Sequence, residues 1–98
     1  MPTFARSRRF RREYLALSRE QREAFKRALV VFIAALRGKP PVFPSSLRVK
    51  GVQGHHGVYE LSFGGGGRAT FEYGAEVRPG DAHVMWRRIG DHSIFADP

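Results

Sequence analysis

Four side chains in the second half of this chain, His92, Arg68, Arg87 and Glu60, are of the types that handle a phosphodiester. Cleaving RNA without a metal requires a base for the 2′-hydroxyl proton, a cation for the charge growing on phosphorus and an acid for the departing 5′-oxygen. His92 suits either proton-transfer role, because imidazole side chains change charge in the neutral pH range. Arg68 and Arg87 are expected to oppose each other on neighbouring strands and to grip phosphate oxygens with their planar forks. Glu60 offers a second proton-transfer group or a partner that positions an arginine. Lys50 and Arg48, in Leu-Arg-Val-Lys, and Arg88 beside Arg87 are candidate RNA contacts. His55 and His56 suggest a metal at first sight. Adjacent histidines on a Gly-flanked loop point different ways, however, and neither a cysteine nor a carboxylate stands at ligand spacing. They read better as a solvated loop within reach of RNA. The competing account is ordinary: Glu60, Arg68, Glu72 and Arg87 also suit cross-strand ion pairs on a wet sheet face, with His92 in a turn. Spacing alone favours this ordinary account.

The elements that must carry these residues are legible from periodicity. Residues 82–89 read as a strand, with Val84 and Trp86 facing inward and Met85 and Arg87 outward, stopped by Gly90 just before His92. Residues 58–63 and 68–73 alternate in the same way, with Tyr59, Leu61 and Phe63, then Ala69, Phe71 and Tyr73, on the inner side. Gly64 to Gly67 joins them as a hairpin loop, since strands and not a helix lie on both sides. Upstream, Ser7 can cap a helix over residues 8–17, with Phe10, Tyr14 and Leu17 on one face. Ser18 to Gln21 is a capping-box pattern opening a second helix, in which Phe25, Ala28, Leu29, Phe32, Ile33 and Leu36 form an amphipathic stripe. Residues 2–7 suit an edge strand, and the three prolines between Lys39 and Ser46 an irregular connection. The expected fold is α+β. A helical hairpin packs on one face of a small, mainly antiparallel sheet of three to four strands, and the other face is open to solvent.

Ninety-eight residues suffice for one domain, here 1–98. The formal net charge is +8, and it is lopsided: residues 1–50 hold thirteen Lys/Arg against three Asp/Glu, and residues 51–98 four against six. So large a surplus repels itself and calls for a polyanionic partner. The longest apolar run, Ala28 to Leu36, is too short to span a bilayer, and no apolar face is left over for a membrane surface. With no cysteine and no signal-peptide pattern, the expected location is the cytoplasm.

The order helix, helix, sheet carries several sequence motifs. They are Leu17-Ser-Arg-Glu-Gln, Leu47-Arg-Val-Lys-Gly, Val58-Tyr-Glu-Leu-Ser-Phe, Gly67-Arg-Ala-Thr-Phe-Glu-Tyr and Arg88-Ile-Gly-Asp-His-Ser-Ile-Phe95. Together these resemble the RelE/ParE toxin superfamily of type II toxin–antitoxin systems over nearly the whole chain. The C-terminal motif is most similar to the YafQ- and YoeB-like messenger-RNA endonucleases. The resemblance implies an enzyme acting in the ribosomal A site without a cofactor, with Arg68 on the scissile phosphate and His92 in proton transfer. It implies as partners the 70S ribosome with its messenger RNA and an acidic antitoxin, bound as a hetero-oligomer. Phe95 stands where many relatives have a tyrosine. The His-x-x-x-Asp pair of YafQ-like members has no counterpart unless His55 or His56 supplies its histidine. Two alternatives stay open: a non-catalytic, ParE-like inhibitor of DNA gyrase, and a member that only binds its antitoxin.

Overall fold

A computed structural model describes residues 1–98. In chain order the elements are β1 (Thr3–Arg6), α1 (Arg8–Ala16), α2 (Arg19–Leu36), a 3-10 turn (Ser45–Leu47), β2 (Lys50–Gly51), β3 (Tyr59–Phe63), β4 (Gly67–Gly74), β5 (His83–Gly90) and a C-terminal 3-10 turn (His92–Ala96). Both helices begin where their caps require. The Ser7 hydroxyl accepts from the Phe10 amide at 2.9 Å. Ser18 and Gln21 close a complete capping box at 3.1 and 2.9 Å, satisfying two amides that the first turn leaves without helical partners.

The sheet differs from expectation in size and composition. It has five strands in the order β1-β5-β4-β3-β2, and it is mixed. β2, β3, β4 and β5 run antiparallel, but β1 lies parallel to β5, with Thr3 beside His83 and Arg6 beside Trp86. The segment read as an edge strand is therefore one, joined by a partner about eighty residues away that no local pattern reveals. The two-residue β2 adds the other edge, where Lys50 stands opposite Glu60. Both edges are short, which limits the unpaired backbone they offer to other chains.

The helices cover one sheet face, and the core is aromatic. Phe32, Phe71, Leu61 and Val84 are wholly buried, and Phe10, Phe25, Phe63 and Trp86 nearly so. Trp86 sits at the centre, with the ring centroids of Phe10, Phe25, Phe32 and Phe71 5.4–5.7 Å away. Phe25 and Phe71 meet it edge to face, a packing that at this distance adds to the gain from burial alone. At the β3–β4 hairpin only a glycine fits position 67: a Cβ there would lie 2.3 Å from the Phe63 ring.

β5 does not alternate to its end. Phe71 pairs with Trp86 but Thr70 pairs with Arg88, so Arg87 is the extra residue of a β-bulge. The bulge returns Ile89 to the core, where it is 1 % exposed, and leaves Arg87 and Arg88 both half-buried off it. The carbonyl oxygen of Arg87 accepts from the Ser7 hydroxyl at 2.7 Å, and that of Trp86 from the Ser7 amide at 3.0 Å. The start of α1 is thereby fixed to the bulge.

The second sheet face is not wholly open. The C-terminal turn folds back across it, burying Ile94 and leaving Thr70 with no exposed surface and its hydroxyl without a partner. Arg88 holds this arrangement from below. It donates to both carboxylate oxygens of Glu13, at 3.3 and 2.6 Å, and to the carbonyls of Ile94 and Asp97. The hydrogen bonds to Glu13 hold the guanidinium more firmly protonated than usual, against the burial that opposes it. Replacing Glu13 with Ala leaves a half-buried cation without its carboxylate. It should lower stability by about 2–3 kcal/mol, read from urea denaturation, and more than Arg9→Ala, whose ion pair is exposed.

Candidate functional site

The residues with chemical potential converge on the outer face of the sheet where β2, β3 and β4 meet the C-terminal turn. β3 presents Glu60 and Ser62 outward because Tyr59, Leu61 and Phe63 take the core side. β4 presents Arg68 by the same alternation. In register, Arg68 lies between Ser62 on one side and Gly90 on the other. Gly90 brings no side chain of its own, and a Cβ there would already sit 3.0 Å from the Ile94 methyl. Its bareness lets the chain double back so that the next turn delivers His92 beside the strand ends.

Arg48 and Lys50 arrive from the segment after Leu47, whose side chain is anchored in the core. Arg48 itself adopts a left-handed conformation, with φ 50° and ψ 42°. For a residue with a Cβ that costs about 1–2 kcal/mol, and such strain gathers at functional sites. Asp91 caps the C-terminal turn, its carboxylate accepting from the Ser93 amide at 2.8 Å. That hydrogen bonding, aided by the charge of His92, draws the Asp91 carboxyl below the usual aspartate range.

The result is a cleft of about 490 Å³ lined by Arg48, Lys50, Gln53, Glu60, Ser62, Arg68, His92 and Phe95, among others. None of the molecule's five ion pairs involves a residue of this cleft. Arg68 bonds only the carbonyl of Gly67, at 2.8 Å. Three cations thus face one carboxylate and one imidazole in a shared, solvent-filled hollow, with most of their donors unspent. The ring of His92 meets that of Phe95 edge to face at 5.1 Å, which sets one side of the imidazole against an apolar wall.

Of the residues expected here, His92, Arg68, Glu60, Lys50 and Arg48 do come together. The others do not. Arg87 does not oppose Arg68, because the bulge and the register place it beside Glu72 instead, 3.3 Å from that carboxylate, with its Nε donating to the Pro98 carbonyl at 3.0 Å. Arg88 is committed to Glu13. His55 and His56 are exposed on the loop before β3 and do not line the cleft. They take no part in a metal cluster, since no group of three or more His, Asp or Glu is placed to hold an ion. Sequence reasoning missed Gln53 and Ser62 as cleft residues. Ser62 was legible, being on the outward side of β3; Gln53 was not, because only the pairing of β2 with β3 brings it there.

No family model and no curated protein matches the chain in sequence. Solved structures do match in fold. The Escherichia coli DinJ–YafQ complex aligns over 95 % of this chain and 96 % of that one, at TM-score 0.63 and 12 % identity. YafQ alone from E. coli aligns over the same shares at 0.62 and 11 %. A copper-bound mutant toxin from Helicobacter pylori aligns over 95 % and 97 %, at 0.60 and 18 %. The chain therefore has the fold of the RelE-family toxins, as its sequence motifs implied. No helix is long and apolar enough to cross a membrane.

Two outcomes are expected from the site's local construction. Because the folded pKa of Asp91 is lowered, its cap holds above the ordinary aspartate range near 3.9 and is lost as pH falls through the lower folded value. Asp91→Ala should accordingly speed hydrogen exchange at the Ser93 amide at neutral pH while leaving the exchange of core strands unchanged. Arg48→Gly, which removes a cation but suits φ 50°, should leave stability equal or up to about 1 kcal/mol higher in thermal melts while weakening binding of a polyanion.

Proposed function

We propose that this protein is the toxin of a type II toxin–antitoxin module and a metal-independent RNA endonuclease that cuts messenger RNA in the ribosome. The observation that carries the reading is the gathering of Arg48, Lys50 and Arg68, none of them ion-paired, around His92 and Glu60 in one cleft. Free cations beside two proton-transfer groups are what phosphodiester transesterification asks for, and a surface built only for stability would pair them.

In this mechanism the ribose 2′-oxygen attacks the adjacent phosphorus as its proton passes to one of the two groups, Glu60 or His92. The bond from phosphorus to the 5′-oxygen breaks as the other group supplies a proton to that oxygen. The products are a 2′,3′-cyclic phosphate and a 5′-hydroxyl, and the step calls for no cofactor. Arg68 takes the charge that builds on the non-bridging oxygens, from a strand that fixes its backbone on both sides. Lys50 and Arg48 hold the flanking backbone. Phe95 offers a ring against which a base can stack, a contact that needs no hydroxyl.

The partner in the cell would be an acidic antitoxin polypeptide forming a hetero-oligomer with the toxin, in the cytoplasm. The surplus of base in residues 1–50 suits both that partner and ribosomal RNA.

The test is primer extension on cellular messages after brief induction, beside His92→Gln and Arg68→Ala. Cuts within translated frames should appear with the natural chain. Both variants should reduce them by at least a hundredfold while melting as the parent does. Arrested growth with intact messages would overturn the nuclease reading and point to a binding inhibitor.

A further inference from the structure

The outer sheet face carries a second basic hollow, at the opposite end from His92, where β1 runs into α1. We propose that this hollow is a second phosphate-binding site, holding the same RNA strand a few nucleotides from the cut. The proposal rests on the nuclease reading for the identity of the strand, though not for the existence of the site.

The hollow is about 430 Å³, and Arg6, Arg9 and Arg87 line it together with the carboxylates of Glu72 and Asp97 and with Pro98, whose carbonyl accepts from Arg87 Nε at 3.0 Å. Its positive charge is a product of the fold. Arg87 reaches it because the bulge in β5 displaces that residue from the ladder, and Arg6 and Arg9 arrive on either side of the Ser7 cap. Arg6 makes no ion pair. Arg9 pairs with Asp97 and Arg87 with Glu72, but these are solvated contacts, with side-chain exposures of 45 and 77 %, and 39 and 36 %. Pairs so exposed are weak and screened, and a phosphate can take the place of a carboxylate on either arginine without burying an unpaired charge.

Geometry links this hollow to the first. Arg68 and Glu72 stand on the same face of β4, four residues apart, so the two clefts lie roughly 13 Å apart along one strand. Thr70, midway between them, is covered by the C-terminal turn, so a single strand engages Arg68 at one end and the Arg6–Arg9–Arg87 group at the other by passing over the outside of that turn. The bulge thus gives β5 two uses, since Arg88 buttresses the turn and Arg87 faces the strand.

The experiment is fluorescence anisotropy with a labelled twelve-nucleotide oligodeoxyribonucleotide, which has no 2′-hydroxyl to attack, titrated at several salt concentrations. A dinucleotide competitor serves as a probe short enough to occupy one cleft. The double variant Arg6→Ala/Arg9→Ala should bind the long probe about tenfold more weakly, with its salt slope reduced by about 1.4 for two lost phosphate contacts. Its affinity for the dinucleotide should be unchanged. Arg6→Ala alone, which leaves the Arg9–Asp97 pair in place, should show about half the slope change and guards against a folding defect. A charge-matched control on α2, Arg19→Ala/Arg27→Ala, should change the slope less.

An unchanged affinity and slope for the long probe, or an equal loss in the α2 control, would overturn the second site. So would a variant that binds the long probe normally and loses only an acidic peptide probe, which would make the hollow a protein contact. If the natural chain cleaves no RNA and the double variant still loses the long probe, the second site stands and the nuclease reading falls. If His92→Gln abolishes cleavage while the arginine variant binds normally, the reverse holds.

Discussion

The bulge at Arg87 is the constraint on which the outer face depends. Had β5 alternated to its end, Ile89 would point to solvent and Arg88 into an aromatic core, at a cost that no helix-capping or surface contact could offset. One extra residue reverses both. Ile89 becomes core, and two arginines leave the ladder together. Ser7 ties this place to the neighbouring strand: its amide continues the parallel β1–β5 ladder onto the Trp86 carbonyl, and its hydroxyl donates to the carbonyl of the bulged Arg87. The same serine begins α1, so the helix start and the strand defect are one construction.

Around that point the molecule sorts its cations by whether a carboxylate can reach them. Glu13 projects from α1 to Arg88, and Glu72 sits one position along β4 from the residue that faces Trp86, where Arg87 can meet it. At the other end of the sheet the acids run out. Glu60 is the one carboxylate in the cleft, and it pairs with none of Arg48, Lys50 or Arg68 within ion-pair distance. A hollow with unspent donors attracts anions, and in the proposed reaction the imidazole beside it is one of the two proton-transfer groups.

The C-terminal turn is the least expected element and the one that completes the site. It has little secondary structure of its own and is held by Ile94, by Arg88 and by the Asp91 cap. Its burial of Thr70 with an unsatisfied hydroxyl shows how closely it is pressed to the sheet. Because His92 rides on this turn and not on a strand, its place depends on contacts from three separate parts of the chain.

Much of this was legible in the residues alone. The two helices, the hairpin and the inward sides of β3 and β4 follow from periodicities of a few residues, and the Ser7 and Ser18 caps from side chains that bond amides three positions away. These are local interactions, so local sequence encodes them. The outward placement of Glu60 and Arg68 follows from the same alternation. Four features were decided only by tertiary structure. They are the parallel pairing of β1 with β5, the bulge that parts Arg87 from Arg68, the capture of Arg88 by Glu13, and the folding of the C-terminal turn over the sheet. Each joins residues far apart in sequence, and each is chosen by which contact satisfies a buried group. No spacing rule within one segment can express that choice.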